Sequence, residues 1–213
     1  FISYVDLDLR RYAKAEKGCI LNSRILWFFS EAAMLLHTPE LSHAADHAYR
    51  FLMRYCVDRK AGGVFWSVTY DGKPLDTTKH TYNQAFAIYA LSAYYRLTGN
   101  PEALQTARQL FQIVEMHCRD AEGYGESYDR FWNPQSNEKL SENGVMAERT
   151  MNTLLHVFEG YSGLYQAAKS PEVEKELRAL LDIWSEKMFD PEKRRQEVFF
   201  DRSYHSLIDL QSY

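Results

Sequence analysis

The 213-residue chain contains few cysteines, and none of them forms a Cys-x-x-C pair. Its three cysteines, Cys19, Cys56 and Cys118, lie far apart in the sequence. An odd number of widely spaced thiols excludes a disulfide scaffold and a zinc ribbon, and it is typical of proteins kept in a reducing compartment. We therefore expect a cytoplasmic protein.

The chain also lacks an excess of positive charge. Its 25 Lys and Arg residues stand against 29 Asp and Glu residues, which gives a formal net charge of −4 with neutral histidine. Nucleic acid or an anionic membrane would favour a basic stripe, so neither is an expected partner. The first residues contain no basic region of the kind that begins a signal peptide, and none is expected.

Long apolar runs and nucleotide-binding loops are missing as well. No apolar run approaches the roughly 20 residues that a membrane-spanning helix needs. The sequence contains neither G-x-G-x-x-G nor a Walker loop, so no nucleotide cofactor is expected. Aromatic residues, in contrast, are abundant, with 15 Tyr, 12 Phe and 4 Trp. So many rings either fill a large core or line a cleft that stacks on flat ligands such as sugars.

Three prolines mark an internal repeat. Pro39, Pro101 and Pro171 follow one another at two nearly equal intervals, the second slightly longer than the first. Each follows a Thr, Asn or Ser and precedes a Glu. This is the pattern of a helix start, with an N-cap, a proline in the first helical position and an acidic residue that the helix dipole favours. A period this regular indicates a repeated structural unit.

Each unit pairs two predicted helices of different character. The helices before the prolines, residues 21–37, 82–97 and 150–168, are apolar almost all round. The segments after the prolines are apolar on one side only, which is typical of amphipathic helices. The pattern predicts an all-α ring of helical hairpins in two layers, with short β-hairpins in the loops at 64–72 and 197–201.

Three units are too few to close such a ring. At roughly 65 residues each, six units need about 390 residues, the size of an (α/α)6 toroid or barrel. We interpret residues 1–213 as a single (α/α) barrel domain, truncated at both ends, that covers roughly the N-terminal half of the ring. The missing C-terminal half is expected to pack against helix 150–168 and segment 197–213. The apolar residues expected to face it are Phe199, Phe200, Leu207, Ile208 and Leu210.

Five stretches carry a resemblance to a known family. They are residues 17–30 (KGCILNSRILWFFS), 62–66 (GGVFW), 79–89 (KHTYNQAFAIY), 140–144 (LSENG) and 151–159 (MNTLLHVFE). Motifs of this length, in this order along the whole chain, rarely arise by chance. Together they resemble the N-acylglucosamine 2-epimerase superfamily, on its cellobiose 2-epimerase branch.

The resemblance implies an isomerase that inverts C2 of a reducing-end aldose, such as cellobiose or an N-acylglucosamine, without a cofactor. In the open-chain aldehyde, the C2 hydrogen is next to a carbonyl, so a base can remove it and leave an enediolate. Protonation on the other face then inverts the carbon. Histidine suits both steps because its pKa lies near working pH. A fixed arginine stabilises the charge that develops on oxygen.

The resemblance also assigns site residues in this chain. The family supplies two further histidines, one in a Gly-His-Asp-x-Glu stretch and one near its C-terminus, and the printed sequence ends before both. No metal site is implied. The predicted catalytic residues are His156 and Arg24, and the predicted substrate-binding residues are Tyr82, Asn152, Trp66 and Glu159.

The residues alone leave other interpretations open. Arg24 lies within an apolar run and fits a buried ion pair equally well. His156 stands between Leu155 and Val157, where a core histidine is the more common finding. Trp66 either stacks on a sugar ring or caps the end of the barrel.

Two sets of polar residues have suggestive spacings. Asn22, Asn83 and Asn152 each precede a repeat proline by a similar interval, which predicts polar groups gathered at one end of the bore. His43 and His47 have the i, i+4 spacing of a metal-binding pair. Their helix places both on its exposed face and no third ligand is suggested nearby, so no metal is predicted.

Two other functions remain open at this point. A glycoside hydrolase with the same fold would need a pair of carboxylates, for which Glu126, Asp129 and Glu159 are candidates. A non-catalytic half-barrel would bind a sugar or a partner chain without turnover, because one histidine cannot act on both faces of C2. The small-molecule partner expected in either case is a sugar.

Overall fold

A computed structural model describes residues 1–138 and 145–208 of the chain. The LSENG motif at 140–144 and Leu210 lie outside the described residues. Within them, six helices form three consecutive antiparallel hairpins. The helices are α1 (Cys19–Leu36), α2 (Pro39–Phe51), α3 (Thr81–Thr98), α4 (Pro101–His117), α5 (Met151–Ala168) and α6 (Pro171–Ile183). One π-helical turn extends α2 (Leu52–Cys56) and another extends α6 (Trp184–Met188).

The three repeat prolines begin the second helix of each hairpin, as predicted. Only one of the predicted caps is made by a side chain in the described residues. Asn100 Oδ1 accepts hydrogen bonds from the amides of Glu102 and Ala103, at 2.9 and 3.3 Å. At Thr38 and Ser170 the fixed φ of the following proline and the extended cap residue set the start of the helix instead.

The helices form two layers. Helices α1, α3 and α5 lie side by side in the inner layer, and each packs against its own outer helix, α2, α4 or α6. Helix α3 has neighbours on both flanks and behind it, and twelve of its 18 residues are buried. Helices α3 and α5 approach each other closely at Gly160, where an added Cβ would lie 2.8 Å from the carbonyl oxygen of Ala85. The all-α hairpin architecture follows from this division into inner and outer helices.

Short antiparallel strand pairs close each hairpin. The strands are β1 (Lys17–Gly18), β2 (Ser67–Val68), β3 (Pro74–Asp76), β4 (Lys79–His80), β5 (Ser127–Tyr128), β6 (Arg149–Thr150), β7 (Phe189–Asp190), β8 (Arg195–Gln196) and β9 (Phe199–Phe200). The strand before each inner helix pairs with a strand that follows the outer helix of the same unit, in the pairs β1–β2, β4–β5 and β6–β9. Strands β2–β3 and β7–β8 form local hairpins.

One main-chain hydrogen bond recurs at the same place in every unit. The first residue of each inner helix donates its amide to the carbonyl of the residue just before the closing strand. The three bonds are Cys19 N to Trp66 O at 2.9 Å, Thr81 N to Glu126 O at 3.1 Å and Met151 N to Val198 O at 2.9 Å. The three units therefore share one backbone frame, and their inner helices all begin at the side of the ring where the strands lie.

The apolar character of α1 comes from its place in the ring. By length and composition alone this 18-residue helix is apolar enough to cross a membrane, contrary to the sequence-based expectation. In the structure α1 packs against α2 and α3. Inner helices are apolar on several faces because they have several helical neighbours. A core helix of this kind can therefore match a membrane-spanning helix in length and composition.

An exposed apolar edge lies on α1, at the other end of the described chain from the residues predicted to face the missing half. Of the predicted set, Leu207 is 43% exposed, but Phe200 is 1% exposed because β9 closes its own unit. On α1, in contrast, Leu21, Phe28 and Leu35 are 40%, 56% and 77% exposed and follow one another at equal intervals. Each interval is two helical turns, so the three side chains form one stripe, here called the α1 stripe.

Candidate active site

The site is built on one recurring helix position. Arg24, Phe86 and His156 are each the sixth residue of their inner helix, and the intervals between them equal those between the three prolines. The guanidinium carbon of Arg24 lies 5.5 Å from the centre of the Phe86 ring. The ring centres of Phe86 and His156 are 4.5 Å apart. These three side chains therefore form a continuous row across α1, α3 and α5, here called the bore row.

Tyr82 completes the aromatic surroundings of the histidine. It lies one turn before Phe86 on α3, and its ring meets the His156 ring edge-on with 4.8 Å between centres. Its ring also meets Phe86 edge-on at 5.0 Å. Two rings from α3 thus hold the imidazole from two sides, which restricts its rotation.

An acidic side chain also contacts His156. Glu159 lies one turn after His156 on α5, and its Oε2 is 2.6 Å from Nδ1 of the histidine. A carboxylate accepts from Nδ1–H, so in the neutral imidazole the lone pair is on Nε2. The side chains of His156 and Glu159 are 18% and 41% exposed, so the histidine is open to ligand and is not a core residue.

Arg24 is exposed, which rules out the buried ion pair as the reason for its position in an apolar run. It shares with Trp66 the lining of a cavity of about 570 Å3, together with Gly18 and Leu21. The Trp66 ring packs on the His80 ring at 4.5 Å. A guanidinium and an indole lining one cavity can bind hydroxyl groups and the flat face of a sugar, respectively.

The predicted set of asparagines does not gather in the bore. Asn22 and Asn83 are buried, and their amides donate to the main-chain carbonyls of Gly18 and Phe65 at 2.8 and 2.7 Å. Only Asn152 is exposed, in the first turn of α5 and four residues before His156. The three are the fourth, third and second residues of their helices, so they point in different directions and the prediction was wrong.

Each of the three carboxylates proposed for a glycosidase already has hydrogen-bond partners within the chain. Glu126 is buried, and it accepts from the amide of Thr150 at 2.7 Å and from the hydroxyl of Thr153 at 2.5 Å. Burial raises the pKa of Glu126 to about 7, although the bonds from these two threonines oppose the rise. Asp129 holds its own loop through the amides of Phe131 and Asn133. The third candidate, Glu159, is bound to the histidine.

The two histidines with metal-like spacing lie away from this site. His43 and His47 are exposed on α2, in the outer layer. The Phe1 ring packs edge-on against His47 at 5.1 Å. No cluster of three His, Cys, Asp or Glu side chains suited to a metal ion occurs in the described ranges 1–138 and 145–208.

Sequence reasoning missed Phe86 and the layer below the bore row. Trp27 and Tyr89 stack with 5.2 Å between ring centres, and they occupy the same helix position as Glu159, the ninth. They line a second cavity of about 290 Å3 with Glu159. The sequence does contain a signal for these residues. Trp27, Tyr89 and Glu159 follow one another at the same two intervals as the three prolines, and Phe86 stands at these intervals between Arg24 and His156.

The family model of N-acylglucosamine 2-epimerase (GlcNAc 2-epimerase) matches residues 1–212. The chain belongs to this family. Its sequence is 51% identical over 229 residues to the cellobiose 2-epimerase of Eubacterium cellulosolvens and 46% identical over 213 residues to that of Ruminococcus albus. These matches cover 100% of this chain but 56% and 55% of the two relatives. The chain thus spans about half the length of the curated relatives it matches.

A solved epimerase of the family has the same fold. The cellobiose 2-epimerase of Bacillus thermoamylovorans B4167 superposes with a TM-score of 0.95 at 43% sequence identity. The match covers 98% of this chain and 54% of that one. The predicted fold class, an α/α barrel of which this chain forms about half, is therefore confirmed.

Proposed function

We propose that this chain forms about half of a sugar 2-epimerase that inverts C2 of a reducing-end aldose. The observation that carries the proposal is the contact of His156 with Glu159 and Tyr82 at one end of a row that begins with Arg24. The names of its relatives, cellobiose 2-epimerase, support a β-1,4-linked disaccharide as the substrate.

The chemistry requires removal of a carbon-bound proton. With the sugar in its open-chain form, a base takes the C2 hydrogen and the electrons move onto the C1 carbonyl oxygen, giving an enediolate. A proton delivered to the opposite face of C2 restores the aldehyde with inverted configuration. In this proposal the Nε2 lone pair of His156 faces the sugar and exchanges a proton with it or with a hydroxyl group.

The remaining residues bind and polarise the sugar. Arg24 carries a permanent positive charge with several donors, so it stabilises the negative oxygen of the enediolate. Tyr82 and Asn152 offer a phenol and an amide to sugar hydroxyl groups. Trp66 stacks on a sugar ring at the edge of the cavity that it shares with Arg24. Glu159 keeps the proton of the imidazole on Nδ1.

The half of the relatives that this chain does not match is the proposed packing partner. The α1 stripe is the surface that supports this, because a helix in a closed ring has an inner neighbour on each flank and α1 has α3 on one flank. We further propose that the other half supplies a second acid–base group, since inversion needs proton transfer on both faces of C2.

Proton NMR of cellobiose in D2O tests the proposal. A protein that contains this chain and the unmatched half should exchange the C2 hydrogen for deuterium and form the product with mannose at the reducing end. The 213-residue chain alone should show little exchange, since it holds one bore-row histidine. Release of free glucose would favour the hydrolase instead, and binding of cellobiose without exchange by the longer protein would favour a non-catalytic sugar-binding protein.

A further inference from the structure

The residue just before each closing strand holds its own unit together through its main chain. Trp66, Glu126 and Val198 share this position, and each carbonyl accepts the amide of the first residue of its own inner helix. The side chain at this position takes no part in that bond. It is therefore available for another contact, and its chemistry differs completely among the three units.

In two units this side chain reaches the start of the next inner helix. The Trp66 ring of the first unit packs on His80, the residue directly before α3. The Glu126 carboxylate of the second unit binds Thr150, the residue directly before α5. His80 and Thr150 are equivalent N-cap positions, so the two side chains make the same kind of link between neighbouring units.

Glu126 makes this link with more polar contacts than a ring can. Its two carboxyl oxygens accept from Thr150 N and from Thr153 Oγ1, at 2.7 and 2.5 Å, so one donor is the N-cap residue of α5 and the other lies in its first turn. Its own carbonyl accepts from Thr81 N at the start of α3. One residue thus holds the first turns of both α3 and α5.

We propose that Glu126 is a positioning residue that sets the spacing between Tyr82 on α3 and His156 on α5. Tyr82 lies one residue after Thr81, and His156 lies three residues after Thr153. The edge-on contact between their rings spans the same two helices that Glu126 joins. The expected effect of Glu126 on turnover rests on the proposed epimerase function, whereas its expected effect on the spacing of the two rings does not.

The ring signals of His156 report this spacing directly. The imidazole lies 4.8 and 4.5 Å from the centres of the Tyr82 and Phe86 rings, so its carbon-bound protons are shifted by their ring currents. Glu126→Gln replaces one acceptor by a donor and should displace these signals, with far-UV circular dichroism unchanged. Glu126→Asp keeps both carboxyl oxygens and should restore part of the displacement. Thr153→Val, which removes one donor, should displace the signals in the same direction.

Glu115→Gln is the matched control. Glu115 Oε1 accepts from the phenols of Tyr124 and Tyr161, both at 2.6 Å, so its loss also removes a carboxylate acceptor, here half-buried, but it binds no inner-helix start. The control should leave the His156 ring signals in place. Unmoved signals in Glu126→Gln, or equal displacement in Glu115→Gln, would overturn the inference.

Turnover gives the second measurement. In the longer protein, Glu126→Gln should lower kcat by about tenfold or more with a smaller change in KM, because a misplaced reacting group slows the chemical step. Glu115→Gln should leave kcat near that of the wild type. A kcat unchanged by Glu126→Gln contradicts the role in catalysis. Absence of epimerase activity in the wild type contradicts the proposed function, whereas the ring signals still decide whether Glu126 sets the spacing.

Discussion

Glu159 accepts a hydrogen bond from Nδ1 of His156 over 2.6 Å, with the two residues one turn apart on α5. This bond places the imidazole proton on Nδ1, the nitrogen that faces the acid, and leaves the lone pair on Nε2. The pair therefore has the arrangement in which an acid orients a histidine for proton transfer.

Replacing the acid should slow turnover more than it weakens substrate binding. Glu159→Leu removes the acceptor, and we expect kcat to fall by roughly 100-fold, the usual value of a correctly oriented acid–base group. Glu159→Gln keeps a carbonyl acceptor and should lose less. Steady-state epimerisation by the longer protein measures both variants. Equal losses in the two would show that the charge, and not the orientation, is what matters.

Arg24 offers a prediction with a closely matched control. Arg24→Ala should lower kcat by about 100-fold or more, because a fixed donor that stabilises a developing oxyanion is removed. Arg54 is also exposed, and it lies 5.2 Å from the centre of the Tyr55 ring in the outer layer. Arg54→Ala should leave kcat unchanged. Since both arginines are exposed, thermal unfolding should move little in either variant, and a large loss of stability in Arg24→Ala would indicate a structural role.

A buried ion-pair cluster predicts an asymmetric loss of stability. Asp58 accepts from Lys79 Nζ at 3.2 Å and from Arg130 Nε and Nη2 at 2.8 and 3.0 Å. Burial opposes ionisation of Asp58, but the bonds from Arg130 and the charge of Lys79 outweigh it and hold the pKa of Asp58 below its usual value. Burial lowers the pKa of Lys79 to about 8 despite the pull of Asp58.

Asp58→Ala should therefore cost about 3–5 kcal/mol of unfolding free energy, because it leaves the Lys79 ammonium buried without its acid. Lys79→Met should cost less, since Asp58 keeps Arg130. Adding Lys79→Met to Asp58→Ala should restore part of the loss. Urea unfolding at pH 7 of the four proteins measures these differences, and equal losses for the two single variants would contradict the assignment.

Glu126 predicts how stability depends on pH. Burial raises its pKa from 4.5 to about 7. Between these two values the folded chain holds a proton that the unfolded chain has released, so stability falls as the pH rises. A shift of this size corresponds to about 3 kcal/mol. Glu126→Gln does not titrate, so between pH 5 and 8 the unfolding free energy of the wild type should fall relative to that of the variant. Parallel pH curves would contradict this.

The α1 stripe predicts association of the 213-residue chain on its own. Contiguous exposed apolar side chains drive contacts between molecules. Phe28→Ser combined with Leu35→Ser should shift sedimentation toward the monomer. Leu181, which is 53% exposed on α6, supplies the control, because Leu181→Ser removes an apolar side chain outside the stripe. A wild-type chain that sediments as a monomer would show that the stripe does not associate.

The sequence predicts the helical hairpins well, because their limits depend on local chemistry. Inner helices predicted at 82–97 and 150–168 are observed as Thr81–Thr98 and Met151–Ala168. The β-hairpin predicted at 64–72 is observed in the pairing of β2 with β3, where Thr69 N donates to Lys73 O across the turn. The short strands that close each unit could not be predicted, since each pairs with a partner that lies beyond a whole helical hairpin in the chain.

The site was predictable in part for a similar reason. His156 and Arg24 were predicted through motifs, and the repeat spacing alone leads to Phe86, which lies between them in the bore row. The asparagine prediction failed because it treated unequal distances to the proline as equal. Each inner helix begins 20 residues before its proline, so only residues at equal distances from the proline share a helix position. Asn22, Asn83 and Asn152 precede their prolines by 17, 18 and 19 residues and therefore point in different directions.

The main-chain bond that closes each unit does not depend on which side chain stands at that position. Because carbonyl and amide groups make this bond, the frame accepts an indole, a carboxylate or an isopropyl group at Trp66, Glu126 and Val198. The sixth helix position likewise accepts a guanidinium, a phenyl ring or an imidazole. A substitution at this position, for instance Phe86→His, changes the chemistry of the bore row and leaves the main-chain bond that closes the unit with its donor and acceptor. A new activity on this scaffold would therefore need new side chains at these positions, while the backbone would stay the same.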